Sequence, residues 1–229
     1  MNNLKENLDN VRARIATACE KAGRPPSEIR LLAVSKKHTA DRIRRLRELG
    51  QSAFGENYVQ EALQKIGQLA GLGIEWHFIG PLQSNKTREV AENFQWVQSV
   101  DRLKLLRRLS GQRPGDSPPL NVCIQVNIDR EPQKAGVMPE DAEALVQAAL
   151  ELPRLRLRGL MTIPQMATDT HDPGESYERM QRLYTDLRRV AADMDTLSMG
   201  MSGDLESAIL HGSTMVRIGT DLLGPRPSD

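Results

Sequence analysis

Two lysines, Lys36 and Lys37, follow the apolar run "LLAVS" (31–35), just before a helical pattern opens at Thr39. Successive strand residues point to opposite faces, so only one of the two turns inward, and parity alone does not say which. A lysine among apolar walls has its ammonium disfavoured by desolvation and becomes more nucleophilic. The competing reading is a pair of solvated charges beside a helix end. Far along the chain, "MGMSGDLESAI" (199–209) and "RIGTDLLG" (217–224) are small-residue turns leading into helical patterns. Gly200 and Gly203 let backbone approach a ligand, Ser202 adds a hydroxyl, and Gly219 and Thr220 form a second N–H-rich turn. Such turns bind phosphate; ordinary helix capping by Ser202 or Asp204 is the alternative. Arg217 lies inside the apolar segment "MVRIG" and needs an acceptor there, either a ligand or an acid such as Glu206.

The elements that position these residues alternate. Leu4, Leu8, Val11, Ile15 and Cys19 mark one face of a first helix, ended by Gly23 and Pro25–Pro26. Strands are then expected at 31–35, 52–54, 75–80, 96–100, 121–128, 155–163, 196–200 and 214–220. Helices fall between them, with Asp101 as an N-cap, acids opening the helix over 138–152, and a long amphipathic helix over 176–194. Eight βα units, with no glycine-rich dinucleotide loop after the first strand, predict a parallel α/β barrel rather than an open doubly wound sheet. The expected organisation is one domain over 1–229, an additional helix over 1–24 and a (β/α)8 TIM barrel over 29–224. In such a barrel the strand C-termini form the active face, and phosphate binds after strands seven and eight. Both small-residue turns fall there, and Lys36 and Lys37 end strand one. A phosphate site beside an imine-forming lysine predicts pyridoxal 5'-phosphate. Arg217 beside its pyridine nitrogen would keep that nitrogen unprotonated.

Composition narrows the class. Thirty-one basic against 30 acidic residues leave a net charge of +1, which gives no basic field for nucleic acid. No apolar run approaches the roughly 18 residues of a membrane span, and the charged N-terminus is no signal peptide. Cys19 and Cys123 have neither metal-site spacing nor the density of a secreted disulfide scaffold. A cytoplasmic protein is expected.

The segments "LLAVSK", "FGENYVQE", "EWHFIGPLQSNK", "LNVCIQVNI", "RLRGLMTIP", "LSMGMSGDLESAI" and "GSTMVRIGT" resemble the pyridoxal phosphate homeostasis protein family, in that family's order, over about 31–224. That family is similar to the N-terminal barrel of alanine racemases and fold-type III decarboxylases. The resemblance implies pyridoxal phosphate bound as a Schiff base on the lysine of "AVSK", Lys36, with no settled catalytic reaction. It implies phosphate contacts from Ser202 and from Gly219–Thr220, and Arg217 near the ring nitrogen. It also places Asn57 at the cofactor and Met161 at the ring's pocket, an ordinary core methionine being the alternative for the latter. "SKKHT" departs from the family's usual "SKTKP", which makes Lys37 and His38 unusual neighbours, read here as rim decoration. Lys134 is read as a surface charge rather than a transfer site, His77 as a hydrogen-bonded core residue, and Lys86 as a residue beside the "FIGPLQ" turn, with reach to the mouth as the less favoured alternative. The expected function is vitamin B6 homeostasis by a monomeric binding protein, with apoenzymes as recipients of the cofactor. A racemase or decarboxylase is the alternative. It is disfavoured because the enzymes' second domain is not seen and Lys36 is the one base the sequence names, where racemisation needs two.

Overall fold

In the computed structural model, residues 4–165 and 173–225 are described; the ends of the expected 1–229 domain, 1–3 and 226–229, lie outside them. Helix α1 (Leu4–Ala22) comes first, burying Leu8, Val11, Ile15, Ala18 and Cys19, as its apolar spacing predicts. Strands β1 (Arg30–Val34), β2 (Ala53–Glu56), β3 (Glu75–Phe78), β4 (Trp96–Val100), β5 (Leu120–Gln125), β6 (Leu155–Met161), β7 (Thr196–Ser198) and β8 (Met215–Ile218) follow. All neighbours pair in parallel, and β8 returns to β1, Arg30 opposite Met215 and Ala33 opposite Ile218. Between them run α2 (Ala40–Glu48), α3 (Val59–Gln68), α4 (Thr87–Asn93), α5 (Leu103–Gln112), α6 (Ala142–Leu150), α7 (Pro173–Leu187) and α8 (Leu205–Leu210). A four-residue helix, α9 (Thr220–Leu223), follows β8 and has no counterpart among the elements expected from the sequence.

Parallel strands covered by helices are buried on both faces, and here that makes two cores. Ile43, Leu46, Ala62, Val90, Leu105 and Val146 belong to the larger core, which also takes in the apolar face of α1. Leu32, Ala53, Trp96, Cys123, Met161 and Met215 form a smaller cluster of their own with Ile79. The β5–β6 register shifts between Val122 and Cys123. Opposite that shift, Gly159 has φ +152°, and a Cβ there would lie 1.7 Å from the Thr196 carbonyl oxygen, so only glycine fits.

Three expectations need correction. Asp101 caps nothing: the N-cap of α5 is Arg102, whose guanidinium binds Asp101 Oδ1 at 2.6 Å. The helix over 138–152 is shorter, because Pro139–Asp141 form a tight turn before α6 begins. The 176–194 pattern overruns α7: Ala191 and Met194 are buried, but they pack after a turn at 188–190, where Tyr184 donates to Met194 O at 3.0 Å.

Candidate functional site

β1 delivers the lysine pair to the C-terminal mouth of the barrel. After Val34 the chain turns at once, His38 N–H donating to Ser35 O at 3.1 Å, with Lys37 at φ 63°. A left-handed lysine costs about 1 kcal/mol or more, and Glu61 Oε1 offsets this by accepting from the Lys37 N–H. The turn resolves what parity left open. Lys36 is half-buried and lines a cavity of about 240 Å³ with Asn57, Ser202, Arg217, Gly219 and Thr220. Val34, Ile79 and Ile163 give it apolar walls. Lys37 is exposed and lines a different hollow with the buried His38 and with Glu61.

Beneath the turn lies an ionic network that sequence reading missed. Lys65 Nζ on α3 donates to Ser35 O (2.8 Å), Glu56 Oε1 (2.7 Å) and Glu61 Oε1 (2.6 Å). Ser35 Oγ donates to the same Glu56 oxygen at 2.6 Å. Ser35 and Glu56 immediately precede Lys36 and Asn57, so the network fixes both cavity residues from behind. Burial pushes the Glu56 carboxyl up, against the pull of Lys65. The Glu61–Lys65 spacing of four is the one local signal the sequence offers for this network, and by itself it does not separate a buried pair from an exposed one.

Two further devices shape the cavity. Gly80 lets the end of β3 close on β2: a Cβ there would lie 2.1 Å from the Asn57 carbonyl oxygen. Arg14 of α1 joins the two small-residue loops, donating to Ser202 O at 2.9 Å while pairing with Glu206 and Asp221. Glu206 therefore does not serve Arg217, contrary to the alternative read from sequence. Arg217 is buried, burial lowers its pKa, and its Nη1 and Nη2 donate to Ser198 Oγ (2.9 Å) and Thr162 O (2.7 Å). Among the described residues it has no carboxylate partner within ion-pair distance. Asp204 occupies the N-cap position of α8, but its side chain makes no capping bond; its Oδ1 accepts from Met201 N–H at 2.6 Å, drawing the loop tight.

The other candidates fall elsewhere. Met161 packs in the smaller cluster beside Ile79 and Val34, and does not line the cavity. Lys86 pairs with Glu89 at 3.1 Å and lines a neighbouring hollow that shares Asn57. Lys134 binds Glu131 and the Pro164 carbonyl (2.9 Å), tying the loop after β5 to that after β6. His77 is a buried, hydrogen-bonded core residue, as its sequence position suggested. Burial pushes the Tyr177 hydroxyl far up and that of Tyr184 to about 12, so neither is a base at neutral pH. No group of side chains suited to a metal occurs among the described residues.

Known proteins resemble this chain over nearly its whole length. It is 53% identical to the pyridoxal phosphate homeostasis protein of Pseudomonas aeruginosa, over 99% of this chain and 97% of that one. It is 49% identical to that of Escherichia coli, over 99% and 98%. The chain belongs to the pyridoxal phosphate homeostasis protein family. The alanine racemase N-terminal domain model matches residues 7–227. Among solved structures, PipY of Synechococcus elongatus with PLP bound superposes at a TM-score of 0.84 and 34% identity, covering 97% of this chain and all of PipY. Alanine racemase of Clostridium difficile, at 19% identity and a TM-score of 0.74, shares the fold over 58% of its own length. The homeostasis family thus has the barrel of the racemases, and here that barrel opens on a mouth built from Lys36, Arg217 and two glycine-containing loops. Among the described residues no helix is long and apolar enough to cross a membrane.

Proposed function

We propose that this chain binds pyridoxal 5'-phosphate at the barrel mouth, held covalently through Lys36 Nζ, and serves vitamin B6 homeostasis in the cytoplasm without catalytic turnover. The observation that carries the reading is convergence: an amine, a buried arginine and two glycine-containing loops line one cavity with apolar walls. The residues fit the cofactor. Asn57 Oδ1 is buried with no hydrogen-bond partner in the protein, an acceptor waiting for a ligand donor. The Gly219 position leaves backbone exposed to the cavity, with Thr220 beside it. When bound, the cofactor supplies an electrophilic aldehyde for attachment to an amine.

The protein's own groups do the rest. Ser202 and Thr220 offer hydroxyls, and the turns at Gly203 and Gly219 offer backbone N–H groups, to the phosphate. No carboxylate among the described residues ties up the Arg217 guanidinium, and its five N–H donors exceed the two acceptors it meets, which leaves a donor for the ring nitrogen. Because arginine does not give up its proton at neutral pH, it acts there only as a donor and leaves the nitrogen unprotonated. That weakens carbanion stabilisation. Racemisation also needs two positioned bases, and Lys36 is the one lysine lining the cavity among the described residues. Met161 packs behind the cavity walls Val34 and Ile79, which suits a supporting role. Cys19 and Cys123 are free and buried, which suits a reducing compartment. The large apolar side chains that remain exposed, such as Leu103, Leu150 and Val190, sit on separate elements, which suits a monomer. Apoenzymes are the proposed recipients of released cofactor.

Titration of the purified chain with pyridoxal phosphate is expected to give saturable binding with a new near-visible absorbance band. Ser202→Ala combined with Thr220→Ala should weaken affinity about tenfold or more, the loss of two hydrogen bonds to a charged group. Absence of saturable binding would overturn the reading. Amino-acid racemisation by the loaded chain at about 1 s⁻¹ or faster would overturn its non-catalytic part.

A further inference from the structure

The inside of the barrel carries a row of polar side chains that cofactor contact does not require. Arg217 Nη1 donates to Ser198 Oγ at 2.9 Å, and Ser198 Oγ donates to Gln98 Oε1 at 2.7 Å. Gln98 Nε2 donates to His77 Nδ1 at 2.9 Å, and His77 Nε2 meets Glu75 Oε1. That carboxylate oxygen also accepts from Arg30 Nη2. Ser198, Gln98 and His77 are fully buried. Glu75 and Arg30 are the first residues of β3 and β1, so the row runs from the cavity to the opposite end of the barrel. Barrel interiors are ordinarily filled by branched apolar residues, and buried polar groups are costly unless paired.

From Arg217 to Glu75 every link donates in the same direction, and Arg30 donates to the same carboxylate from the other side. Burial favours neutral Glu75, but the hydrogen bond from His77 and the charge of Arg30 outweigh it and hold the carboxyl near about 2. An ionised carboxylate only accepts, so His77 carries its proton on Nε2 and accepts at Nδ1. Burial pushes His77 down to about 4, which keeps the imidazole neutral. Trp96 stacks on it at 5.0 Å and 11°, fixing the plane of the ring. Gln98 must then present its amide nitrogen to His77 and its oxygen to Ser198. The Ser198 proton is thereby committed, and the hydroxyl accepts from Arg217. With Thr162 O holding Nη2, the guanidinium is fixed at two nitrogens. The row does not conduct protons, because neither Gln98 nor Arg217 releases one.

We propose that Ser198, Gln98, His77 and Glu75 are positioning residues that set the Arg217 guanidinium from the far end of the barrel, so that contacts at the N-terminal face tune cofactor holding at the mouth. This rests on the reading that Arg217 faces the bound cofactor. Hydrogen-bond rows polarise one another, so they lose their effect as a unit rather than link by link.

The test is pyridoxal phosphate titration of the full chain, reading the dissociation constant and the absorbance maximum of the bound cofactor. His77→Phe and Ser198→Ala are each expected to weaken binding about 3- to 10-fold, the contribution of one hydrogen bond, and to shift the maximum. The double variant should be no worse than the worse single. His77→Asn, which can place an acceptor where Nδ1 stood, should restore affinity to within about 2-fold of wild type. Should His77→Phe fail to fold, Glu75→Ala, at the partly exposed end, is expected to move both readouts in the same direction. Folded variants with unchanged affinity and maximum, or strictly additive losses, overturn the positioning row while leaving the cofactor reading intact. A wild-type chain that takes up no cofactor overturns both.

Discussion

Lys65→Met is expected to destabilise the fold by about 3–5 kcal/mol at neutral pH, the cost of removing one partner of a buried pair. Lys65 and Glu56 side chains are 7% and 0% exposed, so solvent screening does not soften the loss. Glu56 Oε2 already lacks a partner, and without the ammonium its other oxygen keeps only Ser35. The sign of the pH dependence follows. Burial raises the Glu56 pKa above its ordinary value of 4.5 in the folded state, and the variant raises it further. The folded chain then binds more protons than the unfolded one, so stability falls as pH rises. The deficit against wild type should be small at and below the ordinary value of 4.5 and grow above it. Denaturant midpoints at about pH 5 and about pH 8 measure this; a deficit that shrinks with rising pH would refute the buried pair. Since Lys65 also holds the Ser35 carbonyl, cofactor affinity should fall in parallel.

Gly80→Ala is expected to cost more than about tenfold in cofactor affinity and about 1–3 kcal/mol in stability, the range for overpacking. The added Cβ would meet three backbone atoms of Asn57, the oxygen at 2.1 Å and the carbonyl carbon and Cα at 2.7 Å. No side chain can move aside there, so the β2 and β3 loops must part, carrying Asn57 out of the cavity wall. Titration calorimetry and thermal melting of the same preparation separate the two effects. Unchanged affinity in the folded variant would remove Asn57 from the site.

Much of this was legible in the sequence because its signals are local. Helical spacing in α1, βα alternation and small-residue turns after β7 and β8 depend on neighbours within a few residues. Lys36, Ser202, Arg217, Gly219 and Thr220 share one cavity because a parallel barrel gathers strand ends whatever their separation along the chain. What escaped was long-range pairing. Arg14 lies outside the apolar spacing of α1, and only the fold shows that it bridges Ser202, Glu206 and Asp221 at the far end of the chain. Lys65 shares a helix with Glu61 at a spacing of four, but only the fold brings Glu56 against it. Alternation ranked Lys36 and Lys37 equally; the left-handed turn at Lys37 separates them. For Met161 the sequence left a ring-pocket and a core reading open, and the fold packs it in the core. It lies on the inward face of β6, in the interior cluster rather than the cavity wall.

Covalent capture at Lys36 is tested most directly by borohydride reduction of the cofactor-loaded chain, followed by peptide mapping. The expected result is a phosphopyridoxyl mass on Lys36 that disappears in Lys36→Ala. Label on Lys37 or Lys134 with Lys36 unmodified, or a Lys36→Ala chain that keeps the wild-type near-visible band, would contradict it.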